Sequence, residues 1–390
     1  MTTLDNALTI GDLKTRARRR VPKQFFDYSE SGSWTEQTFR ANESDFADVL
    51  FRQRVAVDLR DRNLASTMLG QPVSLPLAVA PAAICGLQIA NGEIHAARAA
   101  QKFGIPFSLS TMSICSIEQV ADAVDAPFWF QVYVMRDKAF MRQLILRARA
   151  AGCSALILTM DLQLLGQRHV DIRNGMSAPP RITPAFLFEL MRKPAWALGM
   201  LGATSRTFAN VVGKATDVSD LTSLPSWIAE QFDLALTWKE IGWAKDLFQG
   251  PVIVKGILDV DDARQAVAHG ADAIVVSNHG GRQLDGAPSS IRVLAEIAEA
   301  VGDKVEVLMD GGIRSGQDLL KAIALGARGA FIGRPILYGL GAGGEAGVSR
   351  ALEFIRRETD TTMALLGERD IRNVGPHNIY SNGLDRRRGH

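Results

Sequence analysis

Cysteine is scarce in this sequence, with three residues, Cys85, Cys115 and Cys153, in a chain of 390. Three irregularly spaced cysteines do not form a disulfide framework, and no Cys/His group has zinc spacing, so we predict no metal site. This scarcity favours a reducing compartment.

Long apolar runs and charge of one sign are also missing. No run of about eighteen apolar residues could span a bilayer, and the N-terminus lacks the apolar core of a signal peptide. We therefore expect a protein that is neither exported nor integral to a membrane. The net charge of +2 gives no reason to predict nucleic-acid binding.

Eight short apolar runs alternate with helical stretches, which predicts eight parallel strands joined by helices and hence a (β/α)8 barrel. The predicted strands are Leu75–Ala80, Pro106–Leu109, Phe128–Val132, Ala155–Thr159, Pro251–Val254, Ala273–Val276, Glu306–Leu308 and Gly329–Ile332. We predict one domain over residues 1–390, with an N-terminal helical extension (1–70), a barrel (75–370) and an insertion (174–233). In the extension, Ile10 to Arg19 and Lys23 to Tyr28 are predicted helices.

Polar or glycine residues follow nearly every predicted strand, where barrel enzymes carry their functional groups. At or just after the first four strands are the small residues Pro81, Ala82 and Ala83 and the polar residues Ser110, Gln131, Tyr133, Thr159 and Asp161. Those after the last four are Lys255, Ser277, His279, Arg282, Asp310, Gly311, Gly312, Arg314, Gly333 and Arg334. The pattern predicts one site at the C-terminal rim.

His279 and Arg282 combine a proton acceptor with an anion clamp. Imidazole is the side chain most easily poised as a base near neutral pH, and a guanidinium binds a carboxylate through two hydrogen bonds. A random His-x-x-Arg is more often a turn cap beside a solvated cation. Its position after a strand, with two glycines between, favours the functional interpretation.

Glycines and arginines in the last two loops suggest a phosphate site. Gly311 and Gly312 let backbone N–H groups approach an anion, and Arg314 and Arg334 add charge. The alternative is that these glycines serve only tight turns. Gly339 to Gly344 also fits G-x-G-x-x-G, but it lacks its own βαβ unit, so we interpret it as a helix-entry loop.

The insertion at residues 174–233 is too long for a structural connection. Between Pro184 and Leu201 it concentrates apolar side chains around Arg192 and Lys193, which suits a membrane interface, although a lid or subunit contact would also account for it.

The run Ser277-Asn278-His279-Gly280-Gly281-Arg282-Gln283-Leu284-Asp285 resembles the signature of the FMN-dependent L-2-hydroxy-acid dehydrogenases and oxidases. The resemblance extends from Pro22 to Arg356, and within the family it is strongest to the membrane-associated bacterial L-lactate dehydrogenases.

The resemblance assigns roles to individual residues. It implies that Tyr28 and Tyr133 contact substrate, that Arg168 and Arg282 clamp its carboxylate, and that His279 is the base oriented by Asp161. Lys255 would stabilise the reduced flavin, and Met112, where glycolate oxidase has a bulky aromatic, would admit a side chain larger than hydrogen. The implied FMN positions are Pro81, Ala82, Ala83, Ser110, Gln131, Thr159, Lys255, Ser277, Asp310, Gly311, Gly312, Arg314, Gly333 and Arg334.

The implied reaction is oxidation of an L-2-hydroxy acid, with L-lactate to pyruvate favoured, by hydride transfer or through a carbanion. Electrons would pass to quinone or another respiratory acceptor. The alternatives are an oxidase that uses O2, a mandelate-type dehydrogenase for aryl 2-hydroxy acids, and a membrane scaffold without catalysis. The resemblance also implies a homotetramer bound peripherally at the cytoplasmic face of the inner membrane.

Overall fold

The computed structural model describes residues 4–174, 184–212, 231 and 233–380. In chain order the strands are β1 (Ser66–Met68), β2 (Gln71–Val73), β3 (Leu77–Val79), β4 (Ser108–Ser110), β5 (Trp129–Tyr133), β6 (Ala155–Thr159), β7 (Val252–Ile257), β8 (Ala273–Val276), β9 (Glu306–Met309) and β10 (Gly329–Ile332).

Strands β3 to β10 form a parallel sheet in the order β3-β10-β9-β8-β7-β6-β5-β4. A parallel bridge between Val79 and Phe107 brings its two edges together. The predicted (β/α)8 barrel is therefore confirmed. The fourth, sixth and eighth strands match the prediction residue for residue, and the others differ by one to three residues at one or both ends.

One apolar cluster fills the barrel interior. It includes Trp129 and Phe331, whose ring centroids lie 5.7 Å apart, and Ile157, Val275 and Leu308, which are fully buried. The intervening strand residues belong to a second cluster shared with the helices. Apart from β4, whose Ser108 and Ser110 share one face, the strands are largely apolar on both faces, which explains why most of them read as continuous apolar runs.

The antiparallel hairpin β1–β2 closes one end of the barrel. Fully buried Met68 belongs to the interior cluster, and the Leu69 N–H donates to Glu306 Oε2 at 2.8 Å. Glu306 is the first residue of β9, so the hairpin covers the N-terminal ends of the strands. The opposite end remains for functional residues. Sequence patterning missed this hairpin because three-residue strands show no periodicity.

The helices surround the barrel and extend it. They are α1 (Ile10–Arg20), α2 (Lys23–Glu30), α3 (Gln37–Ser44), α4 (Gly92–Phe103), α5 (Ile117–Ala121), α6 (Lys138–Ala150), α7 (His169–Arg173), α8 (Pro184–Arg192), α9 (Pro194–Gly199), α10 (Lys239–Phe248), α11 (Val260–Ala268), α12 (Ser290–Val301), α13 (Gly316–Ala324) and α14 (Arg334–Leu365). Within the described ranges, no helix is both long and apolar enough to cross a bilayer.

The two predicted helices of the N-terminal extension are confirmed as α1 and α2. Helix α3 was not predicted, because its N-terminal cap comes from a distant loop. The Asp285 carboxylate accepts hydrogen bonds from the backbone N–H groups of Thr35 and Thr38 at 2.9 and 3.0 Å. The extension is thereby fixed to the loop that follows β8.

The interpretation of Gly339 to Gly344 as a helix-entry loop is wrong. These residues lie inside α14, which begins at Arg334 and is kinked at Gly343 and Gly344. A Cβ on Gly339 would come within 2.7 Å of the Gly347 carbonyl oxygen. The glycines therefore serve close backbone packing on either side of the kink.

The insertion contains α8 and α9, and its residues 175–183, 213–230 and 232 lie outside the described residues. Trp196 in α9 packs against Phe25 with ring centroids 5.4 Å apart, and its indole N–H donates to the Leu87 carbonyl at 3.1 Å. Buried Asn210 accepts a hydrogen bond from the Ile117 N–H at 3.0 Å. The described part of the insertion is thus attached to the extension and the barrel.

Candidate active site

The C-terminal strand ends bring His279 and Asp161 together. The His279 ring Nδ1 lies 3.0 Å and 3.2 Å from the two carboxylate oxygens of Asp161. Nδ1 therefore carries the proton that is donated to Asp161, and Nε2 is the ring nitrogen that can accept one. Burial lowers the pKa of His279 below its ordinary value, against the opposing attraction of Asp161. The imidazole is thus neutral near pH 7.

A bulge in β7 makes room for this pair. Pairing between β7 and β8 shifts register between Lys255 and Ile257, and Gly256 has φ +105. A Cβ on Gly256 would lie 2.6 Å from the Asp161 Cβ. Glycine is required here both by the backbone conformation and by the approach of Asp161.

Arg282 is held by the N-terminal extension. Its Nη1 donates to the carbonyl oxygens of Tyr28 and Ser31 at 2.7 and 2.9 Å, and its guanidinium lies 4.5 Å from the Tyr28 ring centroid. Burial, and then repulsion from Arg168, lowers the pKa of Arg282. The structure therefore brings Tyr28, Arg168 and Arg282 together.

Within the described ranges, Arg168 and Arg282 each have a buried N–H donor that makes no hydrogen bond. Among the residues the structure describes, Arg282 Nη2 and Arg168 Nε have no hydrogen-bond partner. In this part of the chain, Arg282 Nη2 has only a 3.6 Å ion pair, with Asp171. Buried donors without a hydrogen bond cost free energy, about 1–3 kcal/mol each, and an anion bound between the two arginines would remove this cost. The two guanidinium groups thus have the chemistry of a carboxylate clamp.

Sequence reasoning missed Asp171, which lies beside this clamp. Its carboxylate accepts a 2.8 Å hydrogen bond from Ser31 Oγ and lies 3.6 Å from Arg282 Nη2 and 4.0 Å from Arg168 Nη1. Burial raises its pKa, while Arg282 opposes the rise. The sequence signal that could have identified Asp171 is its position three residues after Arg168, because residues with this spacing lie close together in a helix such as α7.

Tyr133 ends β5 at the same rim. Burial, and then the nearby Tyr28, raises its pKa to about 12, so the phenol stays protonated at neutral pH and can donate a hydrogen bond. Half-buried Met112 follows β4, where its backbone N–H donates to Ser110 Oγ at 3.2 Å.

A chain of hydrogen bonds links side chains on three successive strands. Ser110 Oγ donates to Gln131 Oε1 at 2.9 Å, and Gln131 Nε2 donates to Thr159 Oγ1 at 3.0 Å. All three residues are buried. The half-buried Pro81, Ala82 and Ala83 follow β3 at the same end and offer only small apolar side chains.

The next three strands continue the ring with charged groups. Lys255 Nζ donates to Ser277 Oγ at 2.8 Å and lies 3.0 Å from Asp310 Oδ2. Burial alone would lower the lysine pKa, but Asp310 and Asp161 outweigh it and raise the pKa, so Lys255 is a cation. The second oxygen of Asp310 has no partner within the described ranges and can accept a hydrogen bond from a ligand.

The predicted phosphate loops also meet. Gly311 and Gly312 have φ +94 and +89, conformations that favour glycine. Burial, and then repulsion from Arg314, lowers the pKa of Arg334 to about 10. Arg334 lies at the N-terminus of α14, directly after Gly333. Two mutually repelling guanidinium groups beside a glycine turn and a helix N-terminus are suited to a phosphate dianion.

The Arg334 side chain also fixes the surrounding backbone. It donates to the carbonyl oxygens of Ser29, Gly280 and Ser31 at 2.7, 3.1 and 3.1 Å, and lies over the Phe39 ring at 4.5 Å. Arg314 Nη2 donates to Glu43 Oε1 at 2.7 Å. Both arginines therefore tie the extension to the barrel, in addition to the charge they offer.

These residues fit FMN. A flat isoalloxazine requires small apolar contacts on one side and polar groups at its edge, which the loop after β3 and the ring from Ser110 to Asp310 provide. The unpartnered oxygen of Asp310 would accept a hydrogen bond from a cofactor hydroxyl, and the glycine turn with Arg314 and Arg334 would suit a phosphate. A buried cation, Lys255, stands beside the pair His279 and Asp161.

Residues 17–381 match the protein family described as FMN-dependent dehydrogenase. The chain is 45% identical over 367 residues to an L-lactate dehydrogenase of Caulobacter vibrioides, which covers 93% of this chain and 95% of the relative. An L-lactate dehydrogenase of Pseudomonas syringae pv. syringae is 42% identical over 367 residues, or 93% and 96% of the two chains.

Solved structures of similar fold belong to enzymes that act on mandelate. The crystal structure of the monotopic membrane protein (S)-mandelate dehydrogenase aligns with a TM-score of 0.91 at 35% identity, over 96% of this chain and 99% of that chain. A crystal structure of mandelate oxidase aligns with a TM-score of 0.81 at 36% identity, over 96% and 98%. On this evidence the chain belongs to the family of FMN-dependent dehydrogenases, and FMN is its cofactor.

Proposed function

We propose that this FMN-dependent 2-hydroxy-acid dehydrogenase oxidises L-lactate to pyruvate and passes the electrons to quinone or another respiratory acceptor. The observation that carries the proposal is the convergence of a neutral, carboxylate-paired imidazole with two arginines that have unused buried donors. The substrate class needs both groups, one for its 2-hydroxyl and one for its carboxylate.

Substrate binding is the task of the arginine pair. A carboxylate between Arg168 and Arg282 would accept hydrogen bonds from Arg168 Nε and Arg282 Nη2. Tyr28 and Tyr133 lie near this clamp, and their phenol hydroxyls are suited to the remaining substrate oxygens. The four residues would fix the orientation of the 2-hydroxyl.

Proton transfer is the task of His279. In the hydride route Nε2 takes the 2-hydroxyl proton while the 2-hydrogen leaves with both electrons. In the carbanion route Nε2 takes the proton from the 2-carbon, and the 2-hydroxyl proton is released to solvent as the two electrons leave and the C=O bond forms. In both routes an imidazolium forms, and Asp161, whose two oxygens lie within 3.2 Å of Nδ1, stabilises it. When bound, FMN would supply the acceptor for the two electrons that leave the substrate, and Lys255 would hold positive charge beside it.

Two kinds of acid side chain are candidates for the substrate. The relatives named L-lactate dehydrogenase favour lactate, whereas the mandelate enzymes among the solved structures support an aryl 2-hydroxy acid as the second candidate. A methionine side chain adopts several conformations, so Met112 can accommodate the methyl group of lactate or the ring of an aryl acid.

Membrane contact is proposed for the insertion. In α8, α9 and the turn after them, Phe188, Met191, Leu198 and Leu201 are 55–71% exposed, and Arg192 and Lys193 lie between them in the chain. Such a surface suits a lipid interface, and a structural neighbour is named a monotopic membrane protein. We also propose that the enzyme is a homotetramer attached to the cytoplasmic face of the inner membrane. The chain would be one domain with an N-terminal extension (1–70), a barrel (75–370) and an insertion (174–233).

The proposal is tested by anaerobic mixing of the FMN-loaded enzyme with L-lactate, D-lactate, glycolate and (S)-mandelate, while flavin absorbance is followed. L-Lactate should bleach the flavin fastest and D-lactate should leave it oxidised. Faster bleaching by (S)-mandelate would show that the substrate is an aryl 2-hydroxy acid and not lactate. Rapid peroxide formation in air would show that O2 accepts the electrons and that the enzyme acts as an oxidase.

A further inference from the structure

The backbone of His279 is in an unfavourable conformation. Its φ is +58, in the left-handed region that non-glycine residues rarely adopt. Such a conformation persists only where the surrounding structure holds it, and at a functional site it fixes the direction of the side chain. The residue before His279 shows what holds it here.

Asn278 uses the full hydrogen-bonding capacity of its side-chain amide. Its Oδ1 accepts from Asn42 Nδ2 at 2.9 Å and from the Gly281 N–H at 3.0 Å. Its Nδ2 donates to Asn42 Oδ1 at 2.8 Å and to the Pro288 carbonyl at 3.1 Å. The two asparagine amides thus form a reciprocal pair, and they are only 2% and 6% exposed.

The helix that carries Asn42 touches two functional loops. A Cβ on Gly312, in the proposed phosphate turn, would lie 1.7 Å from the Asn42 carbonyl oxygen. A Cβ on Gly281, in the His279 loop, would lie 2.4 Å from the Phe39 Cα. Helix α3 therefore packs directly on both loops, and the Asn42–Asn278 pair is its polar connection to the residue beside the base.

We propose that Asn42 is a positioning residue that acts through Asn278 to hold the His279 backbone and so aim the imidazole. This inference rests on the proposed role of His279 as the base. Carboxylate binding should be largely independent of Asn42, because Arg282 is anchored separately by the carbonyl oxygens of Tyr28 and Ser31. The signature of positioning is therefore a loss of rate without a loss of affinity.

The test uses FMN-loaded Asn42→Ala and Asn42→Asp. The aspartate keeps the volume and accepts from Asn278 Nδ2, but it cannot donate to Asn278 Oδ1. Flavin reduction at saturating L-lactate should slow by about tenfold to a hundredfold in both variants, because small misplacements of a reacting group have effects of this size. The oxalate dissociation constant, read from flavin absorbance, should stay within about threefold of the wild-type value.

Asn378→Ala is the matched control. Asn378 is also 2% exposed, and its amide donates to Glu368 Oε1 and accepts from the Gly375 N–H, neither of which belongs to the His279 loop. Its reduction rate should be unchanged.

Two results would overturn the inference. One is a reduction rate within about twofold of wild type in both Asn42 variants, and the other is a parallel loss of rate and oxalate affinity. His279→Gln is measured alongside: if that variant also reduces the flavin normally, the proposed function itself fails, whereas normal rates in the Asn42 variants alone refute only the positioning role.

Discussion

At the scale of single residues, the chemistry depends on how burial and charge prepare His279. Desolvation disfavours the imidazolium before the reaction, and Asp161 stabilises it once a proton has arrived. The two effects oppose each other throughout: burial keeps the imidazole neutral in the resting enzyme, and Asp161 limits the cost of protonating it. An unpaired histidine in the same place would be a weaker base.

The base assignment predicts the behaviour of His279→Gln. The variant should bind FMN but reduce it at least ~10²–10⁴-fold more slowly with L-lactate, since glutamine has no basic nitrogen. In the wild type, reduction should slow as the pH falls through the histidine pKa, and because burial lowers that pKa, the decline should occur below pH 6.5. Stopped-flow reduction between pH 5 and 8 checks both points, and near-wild-type reduction by the variant would refute the assignment.

The clamp predicts a different defect for Arg282→Met. Losing a charge-assisted contact of roughly 1.5–3 kcal/mol should weaken oxalate binding by about tenfold to a hundredfold. Oxalate titration of the flavin spectrum measures this. Arg264→Met is the control, because Arg264 is exposed and pairs only with Asp261 among the described residues. Equal oxalate affinity in the two variants would remove Arg282 from the substrate site.

At the scale of secondary-structure elements, the variant Gly256→Ala tests whether the bulge in β7 positions Asp161. The added Cβ would meet Asp161 Cβ and Cγ at 2.6 and 2.7 Å, so Asp161 must shift from its present position beside His279. Flavin reduction should slow by about tenfold or more, and the strained backbone should cost about 1–3 kcal/mol of stability.

Gly270→Ala separates these two effects. Gly270 has φ +93 and nothing within 4 Å of a built Cβ among the described atoms, so this alanine brings backbone strain without the collision. Thermal unfolding should shift in both variants, whereas flavin reduction should slow only in Gly256→Ala. An equal loss of rate in both would mean that the bulge does not position Asp161.

The elements also show what the sequence could reveal. β6, β8 and β10 were predicted residue for residue, because buried parallel strands are continuous apolar runs with polar ends. Helix α3 was missed, since its cap is Asp285, about 250 positions away. Asn42 escaped for the same reason, because its partner Asn278 comes from a distant segment. Asp171 had one local signal, its spacing three residues after Arg168, but its hydrogen-bond partner Ser31 is also distant.

At the scale of the whole molecule, the N-terminal extension and the barrel make the site jointly. Backbone carbonyls of the extension hold Arg282 and Arg334, while its helix α3 is capped by the barrel's Asp285. The barrel carries the proposed base His279, its carboxylate partner Asp161 and the cation Lys255 at or just after its strand ends. Because the site needs both parts, its integrity should depend on their docking as well as on the barrel.

The proposed membrane surface gives the last prediction, which concerns attachment of the whole enzyme. Serine replacements at the exposed positions Phe188, Met191, Leu198 and Leu201 leave the Trp196 contact with Phe25 intact. Since each apolar side chain buried in lipid contributes roughly 1.5–3 kcal/mol, liposome binding should fall at least about tenfold and quinone reduction should slow. Flavin reduction by L-lactate should not change. The matched control replaces four exposed apolar residues outside the insertion, Leu8, Leu50, Val55 and Leu365. If the insertion variant still floats with liposomes as the control does, the insertion is not the anchor.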